Sequence, residues 1–319
     1  MLLLFFIFNI LITNAIPISL NQLILNIDNQ LNEAQLQVLS EISYIVDITY
    51  CISSTTKILP PFRCPKNCDK FRDMQLIHQW STDSEFDTNL LVTGFISIDH
   101  SKKTWYISLR GTRSLGDTYI DFGILQNKYI NDGVNLELCE DCYVHSGFYS
   151  IFIHSLQNIQ YILFKTIMSY PTYKVIVCGH SMGGAVAVLL SLYLKDNYKY
   201  LNLKCITYGQ PKIGNPNFAR FIDKSFNLES YVRIQDRNLF RVTNIGDSVT
   251  QVPFSSAEFE YDHSNGELMI TKLSSDVTLE DIIACPIKDS QECRKNELLF
   301  TSAAHLMYFH KLGTCLLYL

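Results

Sequence analysis

Ser181 lies in Gly179-His180-Ser181-Met182-Gly183, a G-x-S-x-G spacing that can present a serine hydroxyl for nucleophilic attack. Gly179 and Gly183 lack Cβ atoms, so a strand and a helix can approach closely on either side of a sharp turn. The turn holds the serine in a strained conformation with its hydroxyl exposed. Its backbone lies at a helix N-terminus, where free N–H groups favour developing negative charge. The flanks fit this reading, because Tyr173-Lys-Val-Ile-Val-Cys178 is a buried-strand pattern and Ala185 onward is an apolar helix. A membrane span is the alternative, since Val175–Leu194 contains no Asp, Glu, Lys or Arg. The glycines around His180-Ser181, and β-branched residues confined to the first part, favour strand–turn–helix.

A serine nucleophile needs a general base and an acid that orients the base. In sheets with a nucleophile elbow the chain order is Ser, then Asp or Glu, then His. Asp247 is the expected acid, in the loop after a strand within Arg241-Val-Thr through Pro253; Asp223, Asp236 and Asp262 have weaker contexts. Three histidines follow Ser181: His263, His305 and His310. His305, in Ser302-Ala-Ala-His-Leu-Met-Tyr-Phe309, is the expected base. His263 reads as a hydrogen-bonded structural histidine, and His310 most simply as a surface residue. An oxyanion needs two preorganised donors. The Met182 N–H, directly after the nucleophile, supplies one. Thr112 supplies the other, where Trp105-Tyr-Ile-Ser-Leu-Arg-Gly-Thr112 runs from a strand into a turn.

These residues need a scaffold. Leu90–Asp99 and Thr104–Leu109 read as a hairpin, with Leu90, Val92, Ile96 and Ile98 on one face at period 2, and Trp105, Ile107 and Leu109 likewise. Helices are expected at Ser40–Tyr50, Phe148–Ser169 and Ala185–Lys195, and strands at Val175–Cys178, Lys204–Tyr208 and Phe240–Asn244. Residues from Pro211 through Pro216 read as a loop. Strands alternating with helices imply an α/β fold with a mostly parallel central sheet. No repeat or linker divides the chain.

Composition sets the class. The chain has 319 residues, 47% hydrophobic and 18% charged, which suits one globular domain, or at most two. A net charge of −5 without a basic cluster excludes a nucleic-acid groove and electrostatic attraction to an anionic membrane. The apolar start Met1–Ala15 ends in Thr13-x-Ala15, as a signal peptide does, although no Lys or Arg precedes the apolar run; an uncleaved anchor is the alternative. A secreted or lumenal protein beginning near Ile16 is expected, with no transmembrane segment in the mature chain. Ten cysteines agree with an oxidising compartment. Cys64 and Cys68 flank a Pro-containing loop, Cys139 and Cys142 form a C-x-x-C, Cys285 and Cys293 bracket a polar loop, and Cys51 and Cys315 would staple the ends. Cys178 and Cys205 read as free core thiols. Zinc on Cys64, Cys68, Cys139 and Cys142 is the alternative to disulfides. No N-x-S/T sequon occurs.

Taken together, Ser108-Leu-Arg-Gly-Thr112, Val144-His-Ser-Gly-Phe148, Gly179-His-Ser-Met-Gly-Gly184, Thr207-Tyr-Gly-Gln-Pro-Lys-Ile-Gly-Asn215, Arg241-Val-Thr through Pro253 and Ala304-His-Leu-Met-Tyr-Phe309 resemble the class 3 lipases, the fungal-type triacylglycerol lipases of the α/β-hydrolase fold. The resemblance runs in the family's order from about Ser40 to Cys315. It implies Ser181 as nucleophile, Asp247 as acid, His305 as base, and Thr112 and Met182 as oxyanion donors. His263 aligns with a family histidine outside the triad. Cys51–Cys315 and Cys285–Cys293 look like family disulfides. The family's Arg-Gly-Thr/Ser is usually followed by an amphipathic lid carrying a Trp. Here Arg113-Ser-Leu-Gly-Asp-Thr-Tyr-Ile-Asp-Phe122 has Thr118-Tyr119 about there, and an apolar face of Leu115, Tyr119, Ile120 and Phe122. This weakens an expectation of strong activation at oil–water interfaces. Thr250 stands where the family often has Pro.

The resulting expectation is a signal peptide over 1–15 and a single ester-hydrolase domain over 16–319. It acts on lipid esters of the acylglycerol type at a lipid–water interface, needs no metal or cofactor, and implies no partner protein. A phospholipase A1 or a feruloyl-type esterase is the alternative within the enzyme class. A non-catalytic lipid-binding relative and a serine protease are alternatives outside it.

Overall fold

An eight-stranded sheet carries the molecule, in the strand order β1-β2-β3-β6-β7-β8-β9-β10. The strands are β1 (Met74–Ser81), β2 (Thr93–Asp99), β3 (Thr104–Leu109), β6 (Lys174–His180), β7 (Leu203–Tyr208), β8 (Leu239–Asn244), β9 (Glu267–Ile270) and β10 (Ile282–Ala284). The computed structural model describes residues 31–53, 55–81, 93–112, 123–130, 139–198, 201–229, 232–285, 293 and 302–315. The expected signal peptide, Leu90 and Val92 of the expected hairpin, and the segment 113–122 lie outside the described residues.

β3, β6, β7, β8 and β9 run parallel, and β1, β2 and β10 join antiparallel at the edges. Parallel neighbours need crossovers; helices supply three of the four, and a loop with one 3₁₀ turn joins β8 to β9. α2 (Ser146–Ser169) lies between β3 and β6 in sequence, α3 (Met182–Asn197) between β6 and β7, and α4 (Pro216–Phe226) between β7 and β8. Two short ribbons complete the β-structure: β4 (Gln126–Lys128) with β5 (Tyr143–His145), and β11 (Met307–Tyr308) with β12 (His310–Lys311).

The period of 2 sorts the sheet's side chains between two cores. Ile96, Ile98, Trp105, Ile107, Leu109, Val175 and Val177 pack with α2, α3 and α4. Phe95, Tyr106, Ile176, Cys178, Ile206 and Tyr208 pack on the other face, against α1 (Glu33–Ile48). Both faces of β2 and β3 are therefore buried, although alternation marks only one as apolar. α3 is buried on nearly every side, which explains why Val175–Leu194 carries no charge without being a membrane span. Among the described residues no helix is long and apolar enough to cross a membrane.

Three differences from the expected elements have local causes. α1 begins at Glu33, seven residues before the expected start. Asn32 caps it, accepting from Gln35 N at 2.9 Å while Gln35 Oε1 accepts from Asn32 N at 3.0 Å. This is a capping box with Asn in place of Ser or Thr. α4 starts within the expected loop: Asn215 accepts from Phe218 N, Pro216 opens the first turn, and Asn227 ends the helix in the left-handed region. β1 is an edge strand with irregular burial, so its sequence does not alternate.

Disulfides join Cys51 to Cys315, Cys64 to Cys68, Cys139 to Cys142, and Cys285 to Cys293. Cys64 and Cys68 are thus paired apart from Cys139 and Cys142, and the zinc alternative falls. Cys178 and Cys205 remain thiols, buried on opposite faces of the sheet.

Candidate active site

β6 ends at His180 and α3 begins at Met182, leaving Ser181 on the turn between them with φ 57° and ψ −131°. A non-glycine residue in this region costs on the order of 1–3 kcal/mol and is held only where its surroundings impose it. The close approach explains the flanking glycines. A Cβ on Gly183 would lie 2.5 Å from both the Leu109 and Arg110 carbonyl oxygens, and one on Gly179 would run into the Gly183 backbone. Ser181 N donates to Tyr208 O at 2.8 Å, which fixes the turn to β7. Met182 is the first residue of α3, where backbone N–H groups have no intrahelical acceptor. Gly111 packs directly on Ser181, since a Cβ there would lie 2.9 Å from Ser181 Cβ; half-buried Thr112 follows it off the end of β3.

Asp247 follows the turn that ends β8 and caps a short 3₁₀ turn, Ser248–Gln251, accepting from Val249 N at 2.9 Å. Both of its carboxylate oxygens lie 3.0 Å from His305 Nδ1. A carboxylate can only accept, so His305 carries its proton on Nδ1 and presents a lone pair at Nε2. The Tyr308 hydroxyl also donates to Asp247 Oδ2. His305 sits at the end of a one-turn helix, α5 (Ser302–His305), and Tyr308 lies in β11, so one segment supplies both partners of the carboxylate. Ser181 Oγ and His305 Nε2 are buried and have no hydrogen-bond partner among the described residues. The Ser–His hydrogen bond is therefore not formed here, as is common for catalytic pairs before substrate binds.

Gly209 allows the Asp–His pair to exist. It has φ +55°, and a Cβ there would stand 2.8 Å from Asp247 Oδ2 and 2.9 Å from His305 Nδ1. Gly209→Ala is expected to displace the pair and lower kcat on a soluble ester by about 100-fold with little change in KM, the scale of loss that follows a 1 Å misplacement. Steady-state kinetics beside a melting curve checks this; unchanged kcat contradicts it.

The other candidates lie elsewhere. Asp223 accepts from Asn265, Asp236 pairs with exposed Arg233, and Asp262 accepts from the His263 amide. His263 Nε2 donates to the Thr250 carbonyl at 2.6 Å, which supports its structural reading. Thr250, at the position where the family often has Pro, uses its hydroxyl to bond the Asp247 carbonyl at 2.7 Å. His310 is half-buried rather than on the surface. Its ring stacks on Tyr44 at 3.9 Å, and Nε2 lies 3.6 Å from buried Asp47. Tyr50, His180, Gly209 and Tyr308 were not singled out from sequence. His180, Gly209 and Tyr308 lie within the quoted segments, and their signal is spatial.

Burial favours the neutral form of three histidines, half-buried His78 among them. His180 is pushed well below the ordinary histidine pKa of 6.5 by burial and then by His305. Burial also lowers His145, whose Nδ1 accepts from Phe148 N at 3.2 Å while Nε2 donates to Gly123 O at 2.6 Å. Below about pH 6.5 the unfolded chain takes up protons that these folded histidines refuse, so stability is full above that pH and falls beneath it. Urea unfolding is expected to give about 1–2 kcal/mol less stability near pH 5.5 than near pH 7. A flat profile over that range contradicts this.

The class 3 lipase family model matches residues 106–257. A secreted mono- and diacylglycerol lipase of Gibberella zeae is 30% identical over 279 residues, covering 80% of this chain and 67% of that protein. A lipase of Rhizomucor miehei is 30% identical over 299 residues, covering 89% and 72%. Among solved structures, the Lip2 lipase of Yarrowia lipolytica superposes with a TM-score of 0.79 at 31% identity, over 90% of this chain and 97% of that one.

Proposed function

The chain belongs to the class 3 lipase family, and we propose that it is a secreted acylglycerol lipase acting through an acyl-enzyme on Ser181. Ser181 Oγ attacks the ester carbonyl carbon while His305 Nε2 takes the hydroxyl proton. Asp247 holds the imidazole in the Nδ1–H tautomer and stabilises its charged form. The carbonyl oxygen becomes an oxyanion held by the Met182 N–H and Thr112. The tetrahedral intermediate collapses, the C–O bond breaks, and His305 returns the proton to the leaving glyceride oxygen. Water then attacks the acyl group along the same proton path, releasing a fatty acid and restoring Ser181.

The observation that carries this reading is the Asp247 carboxylate, both oxygens 3.0 Å from His305 Nδ1, beside a serine strained at φ 57° between strand and helix. Secretion is supported by the apolar start with its small-residue end, by four disulfides and by the secreted relative. Contact with a lipid–water interface is supported by Leu125 and Phe254, 63% and 65% exposed. Tyr261 ties these two loops together, donating to the Leu125 carbonyl while its own carbonyl accepts from Ser255 Oγ. Exposed apolar side chains on neighbouring loops suit an interaction surface, a lipid surface among them.

Rates on emulsified triolein, phosphatidylcholine vesicles and a soluble aryl ester test the substrate class. Triolein is expected to be the best of the three. Fastest turnover of phosphatidylcholine would instead indicate a phospholipase A1, and of the aryl ester a feruloyl-type esterase.

A further inference from the structure

His180, the residue before the nucleophile, is fully buried and uses both ring nitrogens. Nε2 lies 2.7 Å from the backbone oxygen of His305, and Nδ1 lies 2.6 Å from the Tyr50 hydroxyl. The carbonyl can only accept, so Nε2 carries the proton and Nδ1 is a lone pair. Tyr50 must therefore donate to it. The Gly111 backbone packs on the tyrosine oxygen so closely that a Cβ on Gly111 would lie 2.8 Å from it. The result is one directed chain, from Tyr50 O–H to His180 and from His180 to the His305 carbonyl, with Gly111 packed against its first link.

Each link lies at a segment the reaction uses. Gly111 precedes Thr112, His180 precedes Ser181, and the His305 carbonyl belongs to the base itself. The His180 and His305 rings lie 4.5 Å apart. Tyr50 is fixed from behind: it stands in the 3₁₀ turn Thr49–Cys51 that ends α1, next to the Cys51–Cys315 disulfide, and Arg110 Nη1 donates to Ile52 O at 2.8 Å. We propose that Tyr50 and His180 are a positioning pair that holds the oxyanion turn, the nucleophile elbow and the base loop in mutual register. Neither touches the reacting atoms. The directions of titration suit the task, since burial keeps His180 neutral and Tyr50 protonated, so both hydrogen bonds persist wherever the enzyme is folded.

A pair that only stabilised the fold would affect melting and leave turnover alone at temperatures well below the transition. A positioning pair affects kcat and the affinity of a transition-state analogue together, because both depend on the same geometry. Tyr50→Phe removes one hydroxyl at constant shape. His180→Leu removes both ring hydrogen bonds, whereas His180→Gln keeps an amide donor and acceptor.

With a soluble ester, Tyr50→Phe and His180→Leu are each expected to lower kcat by about 10- to 100-fold at unchanged KM. Affinity for a boronic acid should fall in proportion, and His180→Gln should recover part of both. Tyr50→Phe placed on His180→Leu should add little, because the two act through one chain. The inference is overturned if Tyr50→Phe and His180→Gln both turn over within about twofold of the parent while melting at lower temperature. If Tyr50→Phe does not fold, the comparison of His180→Gln with the parent decides alone. The proposal rests on Ser181 and His305 acting as nucleophile and base. Loss of that reading is separable, since it would appear as a parent enzyme that hydrolyses ester without modification of Ser181 by a fluorophosphonate. Failure of this inference alone would leave Ser181 modified and kcat of the variants intact.

Discussion

Replacing Ser181 with alanine is expected to lower kcat by about 10⁵- to 10⁶-fold while leaving the fold and its melting temperature in place, because removing a nucleophile eliminates the whole covalent path. Two structural facts set the stability side. Ser181 Oγ has no hydrogen-bond partner among the described residues, so deleting it breaks no bond with them. The strain at φ 57° resides in the backbone and is the same for alanine. Turnover of a soluble ester and the melting curve, measured on one preparation, check this. Retained hydrolysis by a pure variant contradicts it, and so does a variant that loses activity only because it unfolds.

The second large effect is expected at Asp247. Asp247→Asn keeps the size and shape of the side chain and should still lower kcat by about 10⁴-fold. The hydrogen bonds fix how the amide must sit. Val249 N–H donates to Oδ1 at 2.9 Å, so the carboxamide oxygen takes that place. The NH₂ group then takes the Oδ2 place, facing His305 Nδ1 at 3.0 Å and the Tyr308 hydroxyl. A donor there favours the imidazole tautomer with its proton on Nε2, which cannot accept a proton from Ser181. The charge that stabilised the imidazolium is lost as well. KM should hardly move, since nothing in the binding surface changes. Near-parent kcat at neutral pH would remove Asp247 from the role of acid.

Much of this site is legible in the sequence because its parts are local. The elbow shows as a change of hydrophobic period with glycines at the change, and the chain gives β6, Ser181 and α3 in that order. Asp247 and His305 follow from chain order and from their positions after β8 and after the Cys285–Cys293 loop. What stays hidden acts through space. Tyr50 is 130 residues from His180, and no spacing relates them. Gly209 reads as an ordinary loop glycine until Asp247 and His305 are seen crowded against it. His310 carries no sign in its own segment of the Tyr44 ring that covers it. Among the elements, β1 escapes because an edge strand of irregular burial does not alternate, and β9 and β10 because four and three residues are too few to show a period. α4 escapes because Pro216, which opens it, also reads as a loop residue.

The resemblance adds what periodicity cannot. It strengthens the reading of Thr112, half-buried beyond the end of β3, as an oxyanion donor, and the packing of its neighbour Gly111 on Ser181 suits that role.

Mass-spectrometric mapping after inactivation by a fluorophosphonate addresses the assignment of the nucleophile directly. Trypsin cleaves after Lys174 and Lys195, so Ser181 falls in one peptide, 175–195, whose only Lys or Arg is its last residue. The expected result is a single phosphonyl adduct on Ser181, accumulating in step with loss of ester hydrolysis and absent from the Ser181→Ala variant. Inactivation with the adduct on another residue, or full activity with no adduct, would contradict it.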